Sequence, residues 1–296
     1  MSARALSLVA MALVACAANR ATPRPPDPAP ITEEPDLESA PDASAVPTLD
    51  AGCEVVPRGA QCLAEGLAGL GLDRGEGRFE ERPPHAVRVH AFAIDRREVS
   101  ARSYLHCVSE HRCAEPACPL NRTSREPARC VSWRDATAYC AWRNGRLPSE
   151  VEWERAAAGL LPDHRLYVWG DSAPDGATPR DITPEGLHNL AGGVAEWVLD
   201  GGDFYLALPR IRDAGLDGGD ADASLDAVAE DVPEYERTEA GLYVLDAWQG
   251  SSRSPWRVVR GGHDGDPIDR RTTTLRRFRL PDDRLPWVGF RCVYPR

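Results

Sequence analysis

Between Val131 and Gly159 the apolar residues fall twice at helical spacing. Trp133, Ala136 and Cys140 stand at i, i+3 and i+7, and Trp153, Ala156 and Ala157 repeat the seam further on. Each run is preceded by a capping-box pair, Ser132 with Asp135 and Ser149 with Glu152, which satisfies backbone donors that a helix start leaves orphaned. Gly145 and Gly159 read as the stops, and Pro148 blocks extension of the first helix into the second. The pattern predicts two helices meeting at a tight corner over a shared core. Upstream, Val87 and Val89 alternate and Phe92 and Ile94 follow, which is strand material. Ser100 then caps a short helix carrying Tyr104, Leu105 and Val108. Residues 53–84 are Gly-rich and loosely patterned, and an opening strand is hard to find there. The fold class expected is α+β.

The N-terminal quarter has a different pattern. Arg4 precedes an apolar run from Ala5 to Ala15, too short for a membrane span and suited to a signal-peptide core, ending at Cys16. Leu13 to Cys16 resembles a bacterial lipobox, which implies a lipid on Cys16 and anchoring in the bacterial cell envelope. Ala17 in place of an acidic residue favours the outer membrane. Residues 17–52 are rich in Pro, Ala, Asp and Glu and cannot bury enough surface to offset their ordering entropy, so they read as a disordered tether. In polyproline form it would reach up to about 100 Å. Residues 53–296 fit one domain, with 42% hydrophobic residues in the whole chain to supply a core. A formal net charge of −11 argues against nucleic acid as a partner.

Nine cysteines behind an export signal change the picture again. With Cys16 set aside, an even set remains: Cys53, Cys62, Cys107, Cys113, Cys118, Cys130, Cys140 and Cys292. They read as disulfides, although the dense run from Cys107 to Cys118 also has a spacing compatible with zinc.

The wording of these segments carries a resemblance. VSWRDATAYCAWRNGRLPSEVEWERAAAG at 131–159 resembles the signature of the formylglycine-generating enzyme (sulfatase-modifying factor) family. YVWGD at 167–171, HNLAGGVAEWVLD at 188–200, RVVRGG at 257–262 and VGFRCV at 288–293 continue it in order. The resemblance implies that family's variant of the C-type-lectin-like architecture, with few short strands and much irregular loop. It implies a bridge between Cys140 and Cys292, leaving the pairing of the other six open. It also implies a calcium site on main-chain carbonyls and a carboxylate, mapped to Ala191, Gly192, Val194 and Glu196; oxygen donors of this kind suit a hard cation. A second calcium site of the family has no counterpart between Gly170 and Leu187. An acidic insert, about 201–256 with Asp217, Asp220, Asp222 and Asp226, is longer than the family carries and reads as a solvated loop.

The family's chemistry rests on two cysteine thiolates that hold copper(I) in the loop after the RVxxGG strand. Here those two positions fall on Asp266 and Arg271, and neither a carboxylate nor a guanidinium replaces a soft sulfur ligand. A second family disulfide is also lost, its positions falling on Ala157 and Arg276. Copper and formylglycine-generating oxidase activity are therefore not expected. The expected function is an envelope-anchored, non-catalytic binding module for a peptide, glycan or protein partner. The alternative is an exported metal-dependent oxidoreductase on the same scaffold, using copper or non-haem iron, with His263 and Asp266 as ligands and His188 as a third. A purely structural envelope lipoprotein is a further possibility. Arg270, Arg271, Arg276, Arg277 and Arg279 cluster after the lost site; they read as structural partners of Glu150, Glu152 or Glu154, or as the lining of an anion pocket.

Overall fold

The computed structural model describes residues 52–72, 78–172, 180–205, 244–245 and 253–294. All lie in one unit of the chain, Thr48–Arg296. The expected signal peptide with Cys16, nearly all of the tether, most of the acidic insert including Asp217, Asp220, Asp222 and Asp226, and residues 173–179 fall outside the described residues.

The corner at 131–159 forms as its caps dictate. Helix α2 spans Trp133–Trp142 and α3 spans Glu150–Ala158, each opened by a complete capping box. The Ser132 backbone N–H donates to Asp135 at 2.8 Å while the Asp135 N–H donates to Ser132 Oγ at 3.1 Å. The stop of α2 differs from expectation. Asn144, with φ of 60°, takes the left-handed position, and Gly145 serves a different end. A Cβ there would sit 2.5 Å from the Val293 carbonyl oxygen, so glycine lets the C-terminal strand approach. Helix α1, Ala101–Ser109, is capped by Ser100 as expected.

Ten short strands among the described residues make three small sheets. Strands β1 (Ala60–Leu63) and β10 (Val293–Tyr294) both pair antiparallel with β4 (Phe92–Asp95), so the two ends of the domain meet in one sheet. Strand β2 (Gly66–Leu70) runs antiparallel to β3 (His85–Val89), whose other edge pairs in parallel with β6 (Val244–Leu245). The third sheet has the order β8 (Arg276–Arg279), β7 (Arg257–Arg260), β5 (Ala195–Gly201), β9 (Val288–Gly289). Strands β1 and β2 lie within residues 53–84, where the sequence pattern made an opening strand hard to find.

Helix α3 lies at the centre of the packing, against β2, β3, β5 and β7, and every one of its residues is buried, Glu150, Glu152, Glu154 and Arg155 included. Trp153 from α3 joins Leu63, Val87 and Ile94 in one apolar cluster. Tyr104, Tyr139, Trp197 and Phe290 join α1, α2 and β5 in a second. All eight cysteines of the described residues are bridged: Cys53–Cys62, Cys107–Cys113, Cys118–Cys130 and Cys140–Cys292. The last ties α2 to the segment leading into β10, the pairing that the resemblance implied.

Candidate functional site

Strand β7 delivers the chain into the loop 261–271, which carries Asp266 and Arg271, the residues on which the resemblance places the family's two thiolates. The Asp266 carboxylate accepts two bonds from Arg277 Nη2, at 2.8 Å to each oxygen, and the His263 backbone N–H at 3.0 Å. Burial opposes its charge, yet the His263 N–H and Arg277 hold the carboxyl below its ordinary value. Arg271 folds back on the loop, donating to the Asp264 and Asp266 carbonyls at 2.9 to 3.0 Å. Each of the two side chains is thus tied within the loop.

The histidines are engaged in a similar way. The Gly265 backbone N–H donates to His263 Nδ1 at 3.0 Å. A backbone N–H can only donate, so in the neutral ring Nδ1 carries the lone pair and Nε2 the proton, facing Asp266 Oδ1 at 3.6 Å. The ring also rests against Trp287, with centroids 5.0 Å apart, and the Arg277 and Arg279 guanidiniums lie over the same indole. At His188 the Arg97 guanidinium, again only a donor, meets Nε2 at 3.3 Å. Burial, then Arg97 and Arg291, lower the basicity of that ring. Both lone pairs that iron would need already accept a hydrogen bond. Among the described residues no group of three or more His, Cys, Asp or Glu side chains is placed to hold a metal, so His188 does not join His263 and Asp266 in such a group.

The segment 188–196 faces two ways. Its N–H groups at Leu190, Ala191 and Gly192 donate to the Asp181 carboxylate at 2.7 to 3.0 Å, and the Gly193 N–H donates to Asp264 at 2.9 Å. The Ala191 carbonyl lies against Gly262, where a Cβ would come within 2.6 Å of it. Val194 is buried, packed on Gly289. Glu196 is paired with Arg291 through two bonds of 2.6 and 2.7 Å and accepts the Trp153 indole N–H at 2.9 Å. Beside it sits a carboxylate that spacing did not reveal. Glu98 accepts from Asn189 at 3.0 Å through one oxygen, while the other is buried without a hydrogen bond, directed at Gly193, where a Cβ would lie 2.7 Å away. Burial pushes the Glu98 carboxyl well above its ordinary value against the pull of Arg291. An orphaned carboxylate oxygen beside a carbonyl-bearing loop is a donor set that suits a hard cation.

The arginine cluster divides by partner. Arg276 grips Glu150 through bonds of 2.7 and 2.8 Å, and Arg260, outside the cluster, joins Glu150 to Glu154. All four side chains are wholly buried. His164 and the Gly71 N–H complete Glu154, and the Tyr205 hydroxyl completes Glu150. Arg146, rather than a member of the cluster, takes Glu152 through two bonds of 2.6 and 2.7 Å. The structural reading of Arg276 holds, and Arg271 from within the 261–271 loop and Arg277 from β8 are both engaged by that loop. Sequence reasoning missed Glu98, Arg97, Asp181, Asp264 and Trp287. None of them stands at a spacing that marks it; only fold proximity does.

Residues 55–185 match the family described as Sulfatase-modifying factor enzyme 1-like domain. A formylglycine-generating enzyme of Streptomyces coelicolor is 36% identical over 196 residues, covering 55% of this chain and 51% of the relative. An inactive C-alpha-formylglycine-generating enzyme 2 of Bos taurus is 38% identical over 193 residues, covering 61% of this chain and 54% of the relative. The chain thus spans about half the length of these curated relatives. In fold it is similar to PvdO from Pseudomonas aeruginosa, with a TM-score of 0.53 at 20% identity over 79% of this chain and 93% of that one. The α+β fold agrees with these matches, and residues 55–185 carry a domain of the formylglycine-generating-enzyme (sulfatase-modifying factor) family.

Proposed function

We propose that this domain is a non-catalytic binding module that takes a peptide, glycan or protein partner at the surface where its relatives in the family would carry copper chemistry. The observation that carries the reading is the state of the two thiolate positions. Asp266 is neutralised by Arg277, and Arg271 is tied to two carbonyls of its own loop. Every cysteine of the described residues is in a disulfide, which leaves none of them a thiolate to offer a soft metal. The engagement of His263 and His188 argues in the same direction against iron. The expected result is no oxygen consumption by the purified full-length protein with a cysteine-containing peptide, with or without added copper. Asp266→Ala or Arg271→Ala is expected to weaken capture of a hit from a peptide and glycan array. Oxygen-dependent turnover, or copper or iron that survives dialysis and is lost from His263→Ala, would favour the oxidoreductase instead.

Calcium belongs to this proposal as a structural ion. Glu98 with its orphaned oxygen, Glu196 and the carbonyls of the 191–194 loop would hold it, and the bound ion would satisfy the orphaned Glu98 oxygen and fix the loop. Saturating calcium at about a hundred times its Kd should stabilise the fold by about 2.7 kcal/mol. The check is a thermal melt with calcium and with chelator, in wild type and Glu98→Gln. Equal melts in all four conditions would remove calcium from the account.

A further inference from the structure

Where α3 ends, two guanidiniums close on one carboxylate. Arg155, in the last turn of the helix, donates from Nη1 to Glu185 Oε1 at 3.2 Å, and Arg165 Nη2 stands 3.7 Å from Glu185 Oε2. The second distance is a charge contact and not a hydrogen bond. Glu185 Oε2 is buried with no hydrogen bond, and so are the Nε atoms of both arginines. Three polar atoms of one ion-pair cluster are thus left unsatisfied, where buried polar groups are ordinarily paired.

Both cations are positioned without help from Glu185. The Arg165 N–H donates to the Ala158 carbonyl at 2.8 Å, its carbonyl accepts from the Thr273 hydroxyl at 2.7 Å, and its Nη2 donates to the Ala157 carbonyl at 3.3 Å. Gly159, with φ of 92°, makes room for it, since a Cβ there would lie 2.9 Å from Arg165 Nη1. Arg155 is fixed by its place in the helix and is 4% exposed. Glu185 stands instead on a turn. The Gly186 N–H donates to the Thr183 carbonyl and the Thr183 N–H to the Leu187 carbonyl, both at 2.9 Å, while 27% of the Glu185 side chain is exposed. Those bonds belong to the backbone, so the turn persists when the side chain swings outward.

The charges of the cluster do not balance. Burial lowers the basicity of Arg155, Glu185 opposes that, and Arg165 adds to it. The carbonyl end of α3 supplies only about half a unit of negative charge. The neighbouring carboxylate, Glu154, is taken by Arg260 and His164.

We propose that the Arg155–Arg165 pair is a binding site for a divalent tetrahedral oxyanion, a phosphate or sulfate group, and that Glu185 is its displaceable internal occupant. A dianion balances both guanidiniums, and a tetrahedral group brings more acceptor oxygens than a planar carboxylate. The exposed edge of Glu185 is the way in. The assignment does not depend on what the 261–271 loop binds.

Calorimetric titration of the full-length protein with phosphate, sulfate and acetate, at an ionic strength held constant with sodium chloride, tests it. Wild type should bind the tetrahedral ions saturably and acetate more weakly. Glu185→Gln removes the competing charge and should bind the tetrahedral ions about tenfold more tightly than wild type. Arg165→Gln should lose about tenfold in affinity, and Arg165→Lys, which keeps the charge without the fork, should fall between. Equal binding of phosphate and sulfate identifies recognition of the oxyanion itself; preference for one names the source. Wild type against Arg165→Gln repeats the test without altering the turn. No saturation in Glu185→Gln, affinity there no higher than in wild type, acetate bound as tightly as the dianions, or unchanged affinity in Arg165→Gln would each overturn the assignment.

Discussion

Glu150→Gln is expected to lower the unfolding free energy by about 3–5 kcal/mol, because it leaves buried guanidinium charge without its partner. Glu150 lies between two arginines. It takes both arms of Arg276 and one bond from Arg260 at 3.3 Å, and it accepts the Tyr205 hydroxyl. With the charge gone, Glu154 is the main carboxylate facing two wholly buried cations, and the new amide presents N–H donors to a guanidinium that has no acceptor. The comparison is on the same helix. Glu152 pairs with Arg146, whose side chain is 47% exposed, so solvent screens that pair and Glu152→Gln should cost less than Glu150→Gln. Urea unfolding of the two variants measures the difference directly. Equal midpoints would mean that the buried cluster contributes no more than a pair with one solvent-exposed partner.

The second large effect is covalent. Removing the Cys140–Cys292 bridge as a Cys140→Ala, Cys292→Ala pair should cost up to about 5 kcal/mol in the chain-entropy account, since it closes a separation of 152 residues. The bridges Cys107–Cys113, Cys53–Cys62 and Cys118–Cys130 close separations of 6, 9 and 12, worth about 2–3 kcal/mol each on the same scale. Melting temperatures of the paired alanine variants rank them. If the long bridge shifts the melt no more than the short ones, constraint of the unfolded chain is not what it supplies.

The helical corner was legible because its signals are local: a Ser, an acid three residues on, and an apolar seam lie within one turn or two of each other. Strand β2 was not. Its sequence GLAGL carries no β-branched residue, and its glycines answer to another part of the chain. A Cβ at Gly66 would meet Leu160 at 2.6 Å and one at Gly69 would meet His164 at 2.8 Å, so composition there reflects what lies on the strand. The α2 stop was misplaced by one residue for a similar reason, since Gly145 accommodates β10 while Asn144 makes the turn. At the site, Asp266 and Arg271 could be named from the chain. The partners around them could not, because Arg277, Glu98 and Asp181 reach the loops across the fold. The three short disulfides each join neighbouring cysteines, a choice among fifteen connectivities that only loop geometry makes.

The meeting of β1 and β10 on either side of β4 bears on how the domain is made. A chain emerging from its N-terminal end has its helices and most of its strands before it has Arg291, Cys292 and β10. Until then Glu196 lacks its cation, Cys140 lacks its partner, and one edge of β4 stands open. Closure therefore waits on residues 288–294. The order of the chain thus makes its last segment the one that locks the domain.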